Sequence, residues 1–146
     1  MSSDENNGGY GGPEEIVRHA CPEGMVNYCA TKDEANSWMS VDLGAGRSLV
    51  VDHYCWRNGF AANGDIAFRH WRLEGSNDGR TWTTLKTHTN DESLKAEDGS
   101  VAHWAVDGVS TAYRHFRVIQ TGKNATGRHD HLITQGMELY GELLLD

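Results

Sequence analysis

Apolar residues in this chain recur at every second position. Between Trp38 and Leu43, Met39, Val41 and Leu43 share one parity, and Ser40 and Asp42 take the other. Trp71 and Leu73 alternate with His70, Arg72 and Glu74. Arg114, Phe116 and Val118 share a parity, as do Met137, Leu139 and Leu143. Such a period sends alternate side chains to opposite faces of an extended strand, one face buried and one in water. No long stretch follows the helical period. The chain is therefore confined to a fold made of strands.

The segments between these runs carry turn chemistry. Gly44-Ala45-Gly46-Arg47 separates two apolar runs. Asn77-Asp78-Gly79-Arg80 contains Asp-Gly, a hairpin signal that depends on residues tolerating positive φ. Strands are expected near 38–43, 48–56, 70–76, 81–87, 101–106, 112–120 and 137–143, with a further short one at 15–19. The stretch 22–36 reads as a short helix or an irregular loop. Seven or eight strands without a helical partner imply an all-β fold, an antiparallel jelly-roll β-sandwich.

A chain of 146 residues fits one domain and buries a core without disulfides or metals. Met1 to Pro13 is polar and Gly-rich, so 1–13 is expected to be a flexible arm and 14–146 the domain. It does not read as a signal peptide. The net charge of -8 opposes broad electrostatic binding to nucleic acid or anionic membrane. No apolar run approaches the roughly 18 residues of a membrane span. Cys21, Cys29 and Cys55 are odd in number and lack CxxC spacing, so free thiols in a reducing compartment are the simplest reading. No nucleophile elbow or P-loop is present, and Gly44-Ala45-Gly46 is a hairpin turn. Cys55 and His53 lie two apart on one strand without an orienting third group, and Cys55 reads as a core residue.

If successive strands run antiparallel, the connections alternate between two ends of the sandwich. Short turns 44–47, 77–80 and 107–111 fall on one end. Long loops 57–69, 88–100 and 121–136 fall on the other, joined by 20–37. Function concentrates on long loops held by a rigid scaffold.

Four words then resemble the discoidin (coagulation factor 5/8 C-type) domains. They are Trp38-Met39-Ser40-Val41-Asp42-Leu43-Gly44, the hairpin Gly75-Ser76-Asn77-Asp78-Gly79-Arg80-Thr81-Trp82, the strand Tyr113-Arg114-His115-Phe116-Arg117-Val118, and the closing Glu138-Leu139-Tyr140-Gly141. They occur in family order over roughly residues 36–143. The resemblance implies a galactose-binding-like jelly roll in which Trp82 plugs the space between the sheets. The phrase from Trp71 to Gly79, with Trp82-Thr83-Thr84-Leu85, His88 and Asn90-Asp91, is closer to the intracellular versions found in HECT-type ubiquitin ligases and BTB-domain proteins. That implies a cytoplasmic fragment of a larger protein.

The candidate ligand-binding residues gather on the long-loop end: Arg57, Asn58 and Arg69 around one loop, His88 and Asn90 at the next, and Lys123, Asn124, Arg128, His129 and His131 on the third. Converging cationic and amide donors suit a carboxylate, an acidic peptide or sugar hydroxyls. Against this stands the reading that they brace the loops, and Asn90-Asp91 has the chemistry of a turn cap. Two imidazoles in His129-Asp130-His131 do not amount to a metal site without paired Cys/His spacing. No cofactor is implied. Phe60, Ile66 and Phe68 are expected to pack under their own loop and not to enter a membrane. The sequence thus points to a non-catalytic interaction module with a protein or peptide partner. The alternatives are a carbohydrate-binding module, for which Trp56 and Phe60 are the nearest aromatics, and a structural domain packed against its neighbours.

Overall fold

The computed structural model describes residues 29–59, 66–97, 99–125, 127–130 and 132–146. The arm expected over 1–13, the strand expected at 15–19, Phe60 and His131 lie outside them. The described residues contain eight strands and no helix: β1 (Cys29–Ala30), β2 (Trp38–Asp42), β3 (Arg47–Asn58), β4 (Trp71–Ser76), β5 (Thr83–His88), β6 (Val101–Ala105), β7 (His115–Gln120) and β8 (Ile133–Leu145). They form two four-stranded sheets, ordered β1-β8-β3-β6 and β2-β7-β4-β5. Every pairing is antiparallel. The expected all-β sandwich is the fold observed.

Each sheet gives one face to the core. Met39, Leu73, Phe116 and Val118 come from one sheet and Val51, Tyr54, Trp56 and Trp104 from the other, all buried. Their period-two spacing is what lets a pleated sheet bury one face. Strand β3 switches parity midway. Leu49 and Val51 point inward, then Tyr54, Trp56 and Asn58 do, because a bulge between Val51 and His53 inserts one extra residue. That bulge overturns the expectation for Cys55. It faces outward with His53 and Arg57, half-buried on the solvent side of the sheet.

Gly141 sits opposite Val51, just beyond the bulge, with φ at 153°. A Cβ there would stand 1.9 Å from the Val50 carbonyl oxygen. Only glycine, which has no Cβ, fits. Beyond it, β8 pairs with β3 alone among the described residues. Leu143, opposite the buried Leu49, is 54 % exposed there.

Trp82 does not plug the core. It is half-buried on the outer side of the second sheet, with the Arg117 guanidinium 4.3 Å from its ring centroid. A cation over an aromatic face is attracted by the ring quadrupole. Trp71 fills the interior instead and is fully buried. The hairpin before Trp82 is closed by Asp78, whose Oδ1 accepts from the Arg80 and Thr81 amides at 2.8 and 2.7 Å. Those amide bonds hold its carboxyl well below the usual carboxylate range.

The register confirms two distinct ends. Arg57 pairs with Val101, Trp71 with both His88 and Gln120, and Asn58 with Thr134. Loops 59–70, 89–100 and 121–132 therefore leave from one end, beside segment 31–37. The short turns occupy the other, where Arg114 grips Asp42 through two bonds of 2.6 and 2.8 Å.

Candidate functional site: the long-loop end

Four segments meet at this end, and side chains lock them together. Asn58, at the last position of β3, is buried, and its Nδ2 donates to the carbonyls of Ile66 (2.9 Å), Lys95 (3.3 Å) and Glu97 (3.4 Å). The Arg69 Nη1 donates to the carbonyls of Phe68 at 3.0 Å and Leu94 at 2.7 Å. One amide and one guanidinium thus tie loop 59–70 to loop 89–100, and they supply donors to the Ile66, Phe68 and Leu94 carbonyls. The third loop joins through backbone bonds from Ala125 to Ala67 and from Thr121 to His70. Segment 31–37 joins through Asp33, which accepts from the Asp130 amide at 2.7 Å and pairs with His129 Nδ1 at 2.7 Å.

Beneath the loops runs a polar chain inside the aromatic core. Phe68, Trp71 and His88 are stacked in parallel, with centroids 3.8 and 3.9 Å apart. Trp104 meets all three edge-on. The Trp71 Nε1 donates to the Tyr54 hydroxyl at 2.8 Å. The Asp91 carboxylate can only accept, which places the proton of the neutral His88 ring on Nδ1 and makes Nε2 the acceptor of the Tyr54 hydroxyl. The hydroxyl oxygen and Nε2 are 2.6 Å apart. Nδ1 faces Asp91 Oδ2 at 2.8 Å. Burial holds the His88 imidazole below its ordinary pKa, against the opposing pull of Asp91. Burial alone would raise the Asp91 carboxyl, but bonds from Ser93 and His88 bring it below the usual range. Burial also lifts the Tyr54 hydroxyl far above the usual phenol range.

The ten sequence candidates divide by what their side chains do. Asn58, His88 and Asn124 are buried, with their polar atoms engaged inside the protein. Asn124 accepts from Gln120 Nε2 at 2.5 Å, so its side-chain amide is turned inward. Arg69 braces, and Asn90 holds a turn with φ at 51° while its backbone N–H donates to His70 Nδ1. Lys123, Arg128 and His129 stand on the surface of this end, with Lys123 paired to Asp130 and His129 to Asp33. Arg57 does not join them, because it lies on the outer face of β3. His131 is outside the described residues. Ile66 is half-buried and Phe68 is 3 % exposed, packed under the loop as expected.

The described residues of this end form a braced surface. The hollow below it, between Trp56, Asn58, Phe68 and Leu132, measures about 10 Å³. That is room for one water at most. Among the described residues no group of three His, Cys, Asp or Glu side chains could hold a metal ion. No helix among them is long and apolar enough to cross a membrane.

Comparison with known proteins places this geometry. The chain is 38 % identical over 138 residues to the E3 ubiquitin-protein ligase Ufd4 of Drosophila melanogaster, covering 92 % of the chain and 5 % of that protein. It is 34 % identical over 110 residues to a BTB/POZ domain-containing protein of Arabidopsis thaliana, covering 73 % of the chain and 13 % of the relative. It therefore spans only a small part of these relatives. The fold is similar to that of the Clostridium perfringens protein CpGH89CBM32-5, solved in complex with GalNAc-β-1,3-galactose. The TM-score is 0.70 at 14 % identity, over 97 % of this chain and 93 % of that one. Residues 1–132 match the model of the F5/8 type C domain, whose members are non-catalytic binding modules. By that match and by its ligase relative, this chain belongs to the F5/8 type C, or discoidin, domain family.

Proposed function

We propose that the chain is the partner-recruiting module of a larger cytoplasmic protein such as a HECT-type ubiquitin ligase, with the chemistry done elsewhere in that protein. The carrying observation is the long-loop end itself. It is pinned by Asn58, Arg69 and Asp33, and the hollow between Trp56, Asn58, Phe68 and Leu132 measures only about 10 Å³. A preorganised surface of this kind suits a macromolecular partner, since little ordering is needed on binding. Lys123, Arg128 and His129 present cationic and imidazole groups there, on a protein whose net charge is -8. Asp130 and Asp33 stand beside Lys123 and His129, so a polar partner surface carrying both signs of charge is the complementary chemistry.

The test is affinity capture from cell lysate with the wild type and with Lys123→Ala, Arg128→Ala and His129→Ala combined. Specific partners should be lost from the triple variant while its stability, read from the urea midpoint, falls by no more than about 1 kcal/mol for each of the two surface pairs removed. Capture of the same partners at the same yield by both proteins would sink the reading.

A glycan reading has one observation in its favour, the disaccharide bound by the C. perfringens protein of similar fold. Against it, Trp56 is 1 % exposed and unavailable for stacking on a sugar ring. Binding above background on a glycan array, abolished by the same triple substitution, would establish it in place of protein recruitment.

A further inference from the structure

The outer face of the first sheet carries a hollow that the long-loop end does not include. The register lays nine outward residues in three rows across β6, β3 and β8. These are Ala105–His53–Tyr140, His103–Cys55–Glu138 and Val101–Arg57–Gly136. The middle position holds a small thiol and one corner holds only glycine. Rings and longer side chains stand around them, leaving a hollow of about 510 Å³. That lies inside the range of about 300–1,000 Å³ typical of ligand sites.

Its walls are apolar surface facing water. Val101, at the start of β6, is 48 % exposed and Tyr140, within β8, is 46 % exposed. The His53 ring lies 5.2 Å from His103 and 5.8 Å from Tyr140, so the three rings form one wall. Glu138 Oε2 accepts from the Tyr140 hydroxyl and, at 3.6 Å, from the Cys55 thiol. The Tyr140 hydroxyl is pushed up to about 12 by that bond to a carboxylate. On the other side of Cys55, Arg57 is steadied by an Nη1 bond to the Gly99 carbonyl at 3.2 Å.

Charge narrows the occupant. One guanidinium and one carboxylate lie one row apart on neighbouring strands, so an ion attracted by either is repelled by the other at similar range. The hollow suits an uncharged ligand that both donates and accepts hydrogen bonds. A peptide amide does both. A polyol does as well, but each of its hydroxyls needs a partner, and most of this lining is carbon. An apolar side chain uses such a lining directly.

We propose that this face is a second binding site, for an extended uncharged peptide segment that seats one aliphatic or aromatic side chain over Cys55 and Gly136, with its backbone amides between Arg57 and Glu138. The site stands apart from the long-loop end and does not depend on the reading of that end.

The probe is a displayed library of random seven-residue peptides selected on the 146-residue protein. Enriched peptides are expected to be uncharged with one large apolar residue. Their Kd should rise at least tenfold in Val101→Asp and in Tyr140→Ala, each with an unchanged urea midpoint, and stay within twofold in the Lys123, Arg128 and His129 triple variant. Bound peptide should also slow alkylation of Cys55 by iodoacetamide, read by mass spectrometry. Three results would overturn the proposal: no enriched peptide, enriched peptides of net charge, or peptides indifferent to both groove variants. Binding of a neutral oligosaccharide through Val101 and Tyr140 with no peptide binding would overturn it too and reassign the face to glycans. None of these outcomes touches the loop-end reading, which has its own variants.

Discussion

His88 lies flat against Trp71, their ring centroids 3.9 Å apart and their planes within 10° of parallel, while Tyr54 bonds to both. This core therefore holds a hydrogen-bonded polar unit at the point where the sandwich meets its long loops. Tyr54→Phe keeps the ring and removes the hydroxyl. It leaves the Trp71 N–H and the His88 Nε2 without their partner in a buried setting. The expected loss is about 1–3 kcal/mol for each buried group left unsatisfied, read from the urea midpoint. A loss no larger than that of an ordinary surface substitution would show that water replaces the hydroxyl.

His88 also sets a pH dependence. Its folded pKa lies below the unfolded value of 6.5. Between the two values the unfolded chain binds a proton that the folded chain does not, so stability rises with pH there. The contribution is complete above about 6.5 and is lost as pH falls through 6.5 toward the folded pKa. The slope is at most about 1.4 kcal/mol per pH unit for one group. Asp42, held below the usual range by Arg114, adds a separate loss only below its unfolded value of 3.8. Urea midpoints at pH 7.5 and 5.5 should differ in the wild type and much less in His88→Gln. Parallel curves for the two proteins would remove His88 as the cause.

Much of the sandwich is legible in the sequence because period-two patterning is a direct imprint of the pleat. Trp71, Leu73, Phe116 and Val118 each fall where their parity puts them. The departures have local causes. Cys55 shares the parity of the inward Leu49 and Val51, and nothing in the residues from 49 to 56 announces the extra residue at the bulge. Trp82 follows a hairpin turn, and its large ring suggests burial, but a cation over its face stabilises it on the outside. Among the loop candidates, Asn58, His88 and Asn124 have donors that would suit a ligand and that suit a loop carbonyl or a buried side chain equally well. Sequence alone does not distinguish the two. The hollow over Cys55 is out of reach for a further reason. It needs the mutual register of three strands that are distant in sequence, although the matching parity of His53, Cys55 and Arg57 and of Glu138 and Tyr140 is a usable sign.

Gly141 should be among the least replaceable residues. Gly141→Ala brings a Cβ to 1.9 Å from the Val50 carbonyl oxygen, at a φ that side chains rarely adopt. The clash is with backbone, so β3 and β8 must separate locally. A loss above about 1 kcal/mol is expected, more than the entropy gained by restricting the unfolded chain. Ala at Gly108, which also has positive φ but meets nothing within 4 Å, should cost less.

Asn58 separates bracing from binding at the long-loop end. Its side-chain amide reaches three carbonyls from two loops; those of Lys95 and Glu97 keep donors from their own loop, so Asn58→Ala leaves the Ile66 carbonyl without its donor and unties the two loops. About 1–3 kcal/mol of stability should be lost, and loops 59–70 and 89–100 should become the first sites of proteolytic cleavage. Arg128→Ala, on the exposed side of the same end, should stay within about 0.5 kcal/mol of wild type. If the end recruits a partner, the two variants must also differ in kind. Arg128→Ala should weaken binding with an unchanged proteolysis pattern. Asn58→Ala should weaken binding only to the extent that the loops open, and a cosolvent that restores protease resistance, such as sucrose, should restore that binding too.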